Sequence, residues 1–133
     1  MNYNFSFDMT VDQQNAAVLN YKLSADEKIL IAPTSGEIAS GRPFNKWSQF
    51  GQMEKPTELY VKWRDPSSGV VHEETANLKR CVPNDITGMH IYFLIRENRL
   101  LVYLSSSEKR PKEIPAIGPE SAQYNVTTQI YPN

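Results

Sequence analysis

The chain has 133 residues and a mass of 15.2 kDa, which suits one domain spanning 1–133 that buries about two-thirds of its unfolded surface without disulfide staples. Apolar residues at 40% and charged residues at 22% exclude disordered and collagen-like chains. With 14 basic and 15 acidic side chains the net charge is −1, which argues against a nucleic-acid partner and against recruitment to an anionic membrane.

In chain order, the dominant repeat is two residues, the period of a strand with one buried face. Phe5, Phe7, Met9 and Val11 alternate with Ser6, Asp8 and Thr10. Leu19, Tyr21 and Leu23 repeat the pattern against Asn20, Lys22 and Ser24, and a short strand is expected over 28–32. Residues 33–57 break the alternation with Gly36, Gly41, Pro43, Gly51 and Pro56. A loop of that length in a small domain is uncommon and tends to be functional or disordered. It carries Phe44, Trp47 and Phe50, whose regular spacing would line them along one side of a short helix laid over the domain as a lid. Left exposed, the same aromatics with Arg42 and Lys46 would form a docking surface, because large aromatics and Arg are favoured interface anchors.

Leu59, Val61 and Trp63 share one face of the next strand, with Trp63 in the core, while Tyr60, Lys62 and Arg64 share the other. The turn residues 64–69 join it to a strand over 70–78 as a hairpin. Pro83 and Gly88 bracket what reads as one helical turn. Residues 90–95 and 100–104 are nearly continuous apolar runs, joined by Arg96-Glu97-Asn98-Arg99 as a second hairpin. Tyr124, Val126, Thr128 and Ile130 make a last alternating strand. The expectation is an all-β fold, an antiparallel sandwich or open barrel of six to eight strands with helix confined to short turns.

Catalytic chemistry has few candidates. His72 is expected to face solvent and His90 to be half-buried beside Tyr92; the single Cys81 reads as a small hydrophobe beside Val82. His72-Glu73-Glu74 is suggestive of metal binding, yet strand neighbours point to opposite faces. Neither a nucleophile elbow nor a phosphate-binding loop is present. Asn4-Phe5-Ser6 and Asn125-Val126-Thr127 fit the glycosylation pattern but fall inside expected strands. The reading is a protein without catalytic residues, metal or cofactor. The charged segment 108–113, with Lys109 and Arg110, is a solvated loop that could steer an acidic partner and stands second to 33–57 as a contact surface. Tyr60, sharing its face with Lys62 and Arg64, is a further contact candidate.

The succession from Pro56 to Leu104 carries a resemblance. It runs Glu58-Leu59-Tyr60-Val61-Lys62-Trp63-Arg64-Asp65, then Leu78, Val82-Pro83-Asn84-Asp85-Ile86 and Gly88, then Ile91-Tyr92-Phe93 and Leu101-Val102-Tyr103-Leu104. In order and spacing this resembles a family of bacterial lipoproteins of formerly unknown function. Some of its members are periplasmic immunity proteins of type VI secretion effectors, notably antibacterial phospholipases. The resemblance covers roughly the C-terminal half and brings no catalytic residue with it.

It implies an immunity protein that binds a cognate toxic effector, a phospholipase or lipase, and neutralises it by occluding its active site or surface. It also implies a periplasmic location, with membrane attachment only through a lipid anchor. The first ten residues show neither a basic nor an apolar leader region and no Cys, so that anchor is expected to belong to a leader absent from this chain. The alternative function is an envelope-associated β-domain that binds a carbohydrate or other small ligand.

Overall fold

A computed structural model describes residues 1–133. It contains strands β1 (Asn2–Asp8), β2 (Ala17–Ala25), β3 (Lys28–Ile31), β4 (Lys46–Gln52), β5 (Glu58–Arg64), β6 (Val71–Asn77), β7 (His90–Arg96), β8 (Arg99–Lys109) and β9 (Asn125–Tyr131). One helical turn, α1 (Ser35–Ala39), and a 3-10 turn, Glu120–Ala122, complete it. A five-stranded sheet, β4-β1-β7-β8-β9, packs on a four-stranded one, β3-β2-β5-β6, giving the expected all-β sandwich. Every pairing is antiparallel except β1 with β7.

The core is aromatic. Tyr3, Phe5 and Phe7 of β1 alternate inward, and Phe7 meets Phe93 with ring centroids 4.6 Å apart and Tyr21 at 5.0 Å. Trp63 is 1% exposed between the sheets, as its place in the alternation predicts. The sandwich is tied across one side by Glu74, whose carboxylate accepts from Arg99 Nε and Nη2 at 3.1 Å, from the Leu100 amide at 3.1 Å and from the Tyr131 hydroxyl.

Both expected hairpins are present. The β7–β8 turn places Glu97 and Asn98 at φ of 51° and 57°, the two-residue geometry that matches the twist of the flanking strands. In the β5–β6 turn, Asp65 Oδ1 accepts from the Ser67 amide at 3.0 Å and hydroxyl at 2.7 Å, and Gly69 takes φ of 75°.

Six local expectations are corrected. β1 stops at Asp8, whose carboxylate accepts from the Thr10 and Val11 amides and turns the chain, leaving Val11 43% exposed. In β2 a register shift between Val18 and Asn20 inserts Leu19 as an extra residue, so Val18, Tyr21 and Leu23 point inward and Leu19 does not. His72 faces Trp63 instead of solvent, stacked on it at 5.7 Å and 20°. Residues 83–88 form no helical turn; Ile86 inserts completely into the core and the Gly88 amide donates to Asn2 O at 2.8 Å. Along 124–130 only Ile130 is buried, because β9 is an edge strand and Tyr124 precedes it at 71% exposure.

The largest correction concerns 33–57. Its aromatics lie on no lid helix, since 46–52 is β4, paired over seven residues with β1 from Asp8↔Lys46 to Asn2↔Gln52. The helical turn falls earlier and is held by a capping box, with Thr34 Oγ1 accepting from the Glu37 amide and Glu37 Oε1 from the Thr34 amide. A strand prevails at 46–52 because β1 would otherwise expose a row of unpaired main-chain groups beside the aromatic core.

Candidate binding surface

The outward face of the five-stranded sheet is divided in two. One half is roofed by the chain after β8, where Tyr92, Leu94, Tyr103 and Ala122 form a small second core. The other half, over β1 and β4, is bare. Register decides what it displays. Asn4 lies between Phe50 and His90, Ser6 between Ser48 and Tyr92, and Asp8 beside Lys46. Ser121 from the 3-10 turn and Trp47 from the edge complete the rim of a groove of about 500 Å³.

Its polar centre is a Ser6 Oγ–His90 Nε2 hydrogen bond of 2.6 Å. The His90 ring stacks on Tyr92 at 3.9 Å and 7°, and burial lowers its pKa to about 4, so the imidazole is neutral near pH 7. Burial, helped by the Asp12 carboxylate, pushes the Tyr92 hydroxyl above its usual range. Lys46 belongs to no ion pair. Ser6 and His90 thus have the geometry of two members of a nucleophilic triad, but no carboxylate hydrogen-bonds the other ring nitrogen, and an imidazole held this far below its ordinary pKa is a weak base. What the groove offers is recognition: hydroxyls, a neutral imidazole and a free ammonium.

Lys46, Trp47 and Phe50 come together on β4. Trp47 is 42% and Phe50 63% exposed. They lie on opposite sides of the strand, Trp47 opposite Phe7 on the core side and Phe50 opposite Asn4 on the groove side. The remaining candidates lie elsewhere. Phe44 is half-buried, bridged to Val18 by its amide at 2.8 Å and set edge-on to Tyr21 at 5.3 Å, which makes it a packing residue. Arg42 is exposed next to it, beside α1. Tyr60 is on the outer face of the opposite sheet, where its hydroxyl donates to Glu73 at 2.6 Å and Lys22 lies over its ring; burial and Glu73 raise its pKa to about 12. Lys109 is exposed at the end of β8. Arg110 is turned inward as a clamp, its guanidinium donating to Gln123 O at 2.7 Å and to Ile114 O, so it is not free for a partner.

Sequence reasoning missed Ser6, Asp8, Ser48 and the pairing of Ser6 with His90. Period-two alternation does assign Asn4, Ser6 and Asp8 to the outer face. The parallel β1–β7 pairing that brings His90 beside them joins segments far apart in the chain, and no local signal announces it. No protein-family model, no curated protein and no solved structure matches this chain.

Proposed function

We propose that this chain is an immunity protein that binds a type VI secretion effector of the phospholipase or lipase type in the periplasm and neutralises it by occlusion. The reading rests on the resemblance over 56–104, and the observation that carries it to a surface is β4, with Lys46 lining the groove and Phe50 63% exposed farther along the same face of the strand. A large exposed aromatic suits an interface centre, and a cation with no partner suits its polar rim. An interface on the order of 1,600 Å² is within the capacity of a domain this size.

The test is to mix the purified chain with the effector encoded beside it, measure affinity by calorimetry, and assay lipid hydrolysis. A nanomolar one-to-one complex with hydrolysis suppressed is expected. An effector that neither binds nor loses activity would dispose of the proposal.

The groove favours a second reading, a small hydroxylated ligand such as a saccharide held by Ser6, Ser48 and His90. Titration with envelope glycans, followed through the Ser6, Ser48 and His90 amide resonances, distinguishes it: saturable shifts confined to those residues support the ligand, and their absence leaves the protein partner.

A further inference from the structure

We propose that β4 is a self-pairing edge, and that two copies of this chain join β4 to β4 antiparallel about a two-fold axis through Gln49, fusing two five-stranded sheets into one of ten strands. The inference goes beyond the effector reading and needs no effector.

The direction of the free main-chain groups comes first. Met1 and Met53 exchange both hydrogen bonds, the Met53 amide donating to Met1 O at 2.9 Å and the N-terminal amine to Met53 O at 3.2 Å, and at the other end the Met9 amide donates to Asn45 O at 2.8 Å. Antiparallel pairing alternates hydrogen-bonded and non-hydrogen-bonded pairs. Gly51, Gln49 and Trp47 therefore spend their amides and carbonyls on β1, while those of Lys46, Ser48, Phe50 and Gln52 point out into solvent. No loop or turn bond uses the main chain of these four residues.

The four sheet edges are not equivalent. β3 has only four residues, β6 carries Glu73 and the inward Glu74, and the loop through Pro111 and Ile117 lies beside the first half of β9. Short edges, inward charges and covering loops are devices that prevent strand addition. β4 has seven residues, no proline, and a single charge at its first position.

A second copy fits this edge through its side chains. Centring the pairing on Gln49 aligns all seven residues, with Lys46 opposite Gln52, Trp47 opposite Gly51 and Ser48 opposite Phe50. Each hydrogen-bonded pair in that register joins two residues whose main-chain groups are free. Lys46 faces an uncharged residue, so no like charges meet. Space around Gly51 is open, with nothing within 4 Å of where a Cβ would stand, and the register lays the exposed Trp47 indole of the other copy over it. An aromatic covering a strand glycine across the pair is a favourable match. Closed two-fold pairing is also the commonest way a chain meets its own copy. A single-strand junction falls in the small-interface class below about 1,200 Å², so the dimer is weak and concentration-dependent. Phe50, Lys46 and the groove stay on the outer face, two grooves flanking the axis.

Gln49 provides the test, because it faces its own copy across a non-hydrogen-bonded pair, where Cα atoms are about 4.5 Å apart and within disulfide range. With Cys81→Ser as background, Gln49→Cys should cross-link under mild oxidation far faster than Ile29→Cys on the exposed β3 edge. Sedimentation equilibrium should show a reversible dimer for the unmodified chain. Ser48→Lys with Phe50→Lys puts like charges opposite each other twice and should weaken association by roughly tenfold, whereas Ser48→Lys with Phe50→Glu should restore it. A monomer at the highest soluble concentration, with Gln49→Cys cross-linking no faster than Ile29→Cys, overturns the proposal. Equal association of the two charge variants overturns the register even if Gln49→Cys fails to fold.

Discussion

Alanine replacement of Phe44, Trp47 and Phe50, read for both stability and effector affinity, separates residues that hold the fold from residues that meet a partner. Truncating a fully buried Phe costs about 3–5 kcal/mol. Phe44 is half-buried, and its edge-on contact with Tyr21 at 5.3 Å belongs to a class of pair contributing about 0.5–1.5 kcal/mol. Half the burial cost and that pair together give a loss of about 2–4 kcal/mol for Phe44→Ala. Phe50, 63% exposed, should cost less than about 0.5 kcal/mol. Trp47, 42% exposed on the core side of the edge, falls between. The order for effector binding is reversed. An anchor seated in a partner's pocket is worth about 2–4 kcal/mol, so Phe50→Ala should weaken binding about 30- to 1,000-fold while Phe44→Ala leaves it nearly unchanged in the folded protein. Urea unfolding followed by circular dichroism gives the first quantity and calorimetry the second. A Phe50→Ala variant that unfolds, or a stable Phe44→Ala variant that no longer binds, would refute the assignment of these side chains.

Glu74→Ala should lower stability by about 2–3 kcal/mol, because Arg99 at 59% exposure can rehydrate but the Leu100 amide at a buried residue cannot; urea unfolding within 0.5 kcal/mol of the unmodified protein would contradict the clamp. Burial works to raise the Glu74 pKa, but hydrogen bonds from Arg99, Tyr131 and Leu100 prevail and hold it below the usual range, so this stabilisation is present above about pH 4.3 and lost as pH falls below it. His90 acts in a higher window: its folded pKa of about 4 is below the unfolded value of about 6.5, the unfolded chain takes the proton first, and stability falls between those values on acidification. His90→Gln, which keeps a partner for Ser6, should remove about 1–2 kcal/mol of that loss, the figure reduced for partial solvent exposure, and an unchanged pH profile by thermal melting would show that the imidazole is not held neutral.

How much was legible follows from which forces are local. The β7–β8 hairpin was readable because apolar runs flank an Asn-containing turn, and Asn98 does take positive φ there. The β5–β6 hairpin was readable from Asp65, Pro66 and Gly69 for the same reason. β4 was not, since Lys46-Trp47-Ser48-Gln49-Phe50 has too few buried positions to alternate; the strand exists because β1 offers it a ladder. The bulge at Leu19 shifted a simple alternation by one residue and the turn at Asp8 ended one, which is enough to move Leu19 and Val11 out of the core. Of the eight residues named as contacts, Lys46, Trp47 and Phe50 share one strand, and Arg110 carries out an internal task invisible to composition.

The residues that carry the family resemblance are engaged inside the fold. Trp63 fills the space between the sheets and donates its indole N–H to Asn98 Oδ1 at 3.3 Å, Asp65 holds the β5–β6 turn, and Ile86 plugs the core beside the Gly88 turn. None of them is free to choose a partner. β4 belongs to the segment outside the resemblance, and its groove-side positions Lys46, Ser48 and Phe50 can change without touching the core, because Phe5 and Phe7 fix the register from the other side of β1. A scaffold built this way keeps one architecture while its recognition surface varies. The Ser6–His90 bond beneath that surface sets a polar floor common to any occupant. On the proposed immunity reading, discrimination between effectors is expected on the outer face of β4, and replacing Lys46, Ser48 and Phe50 together should change affinity without changing the fold, since the strand takes its main-chain bonds from β1 whatever its outward side chains are.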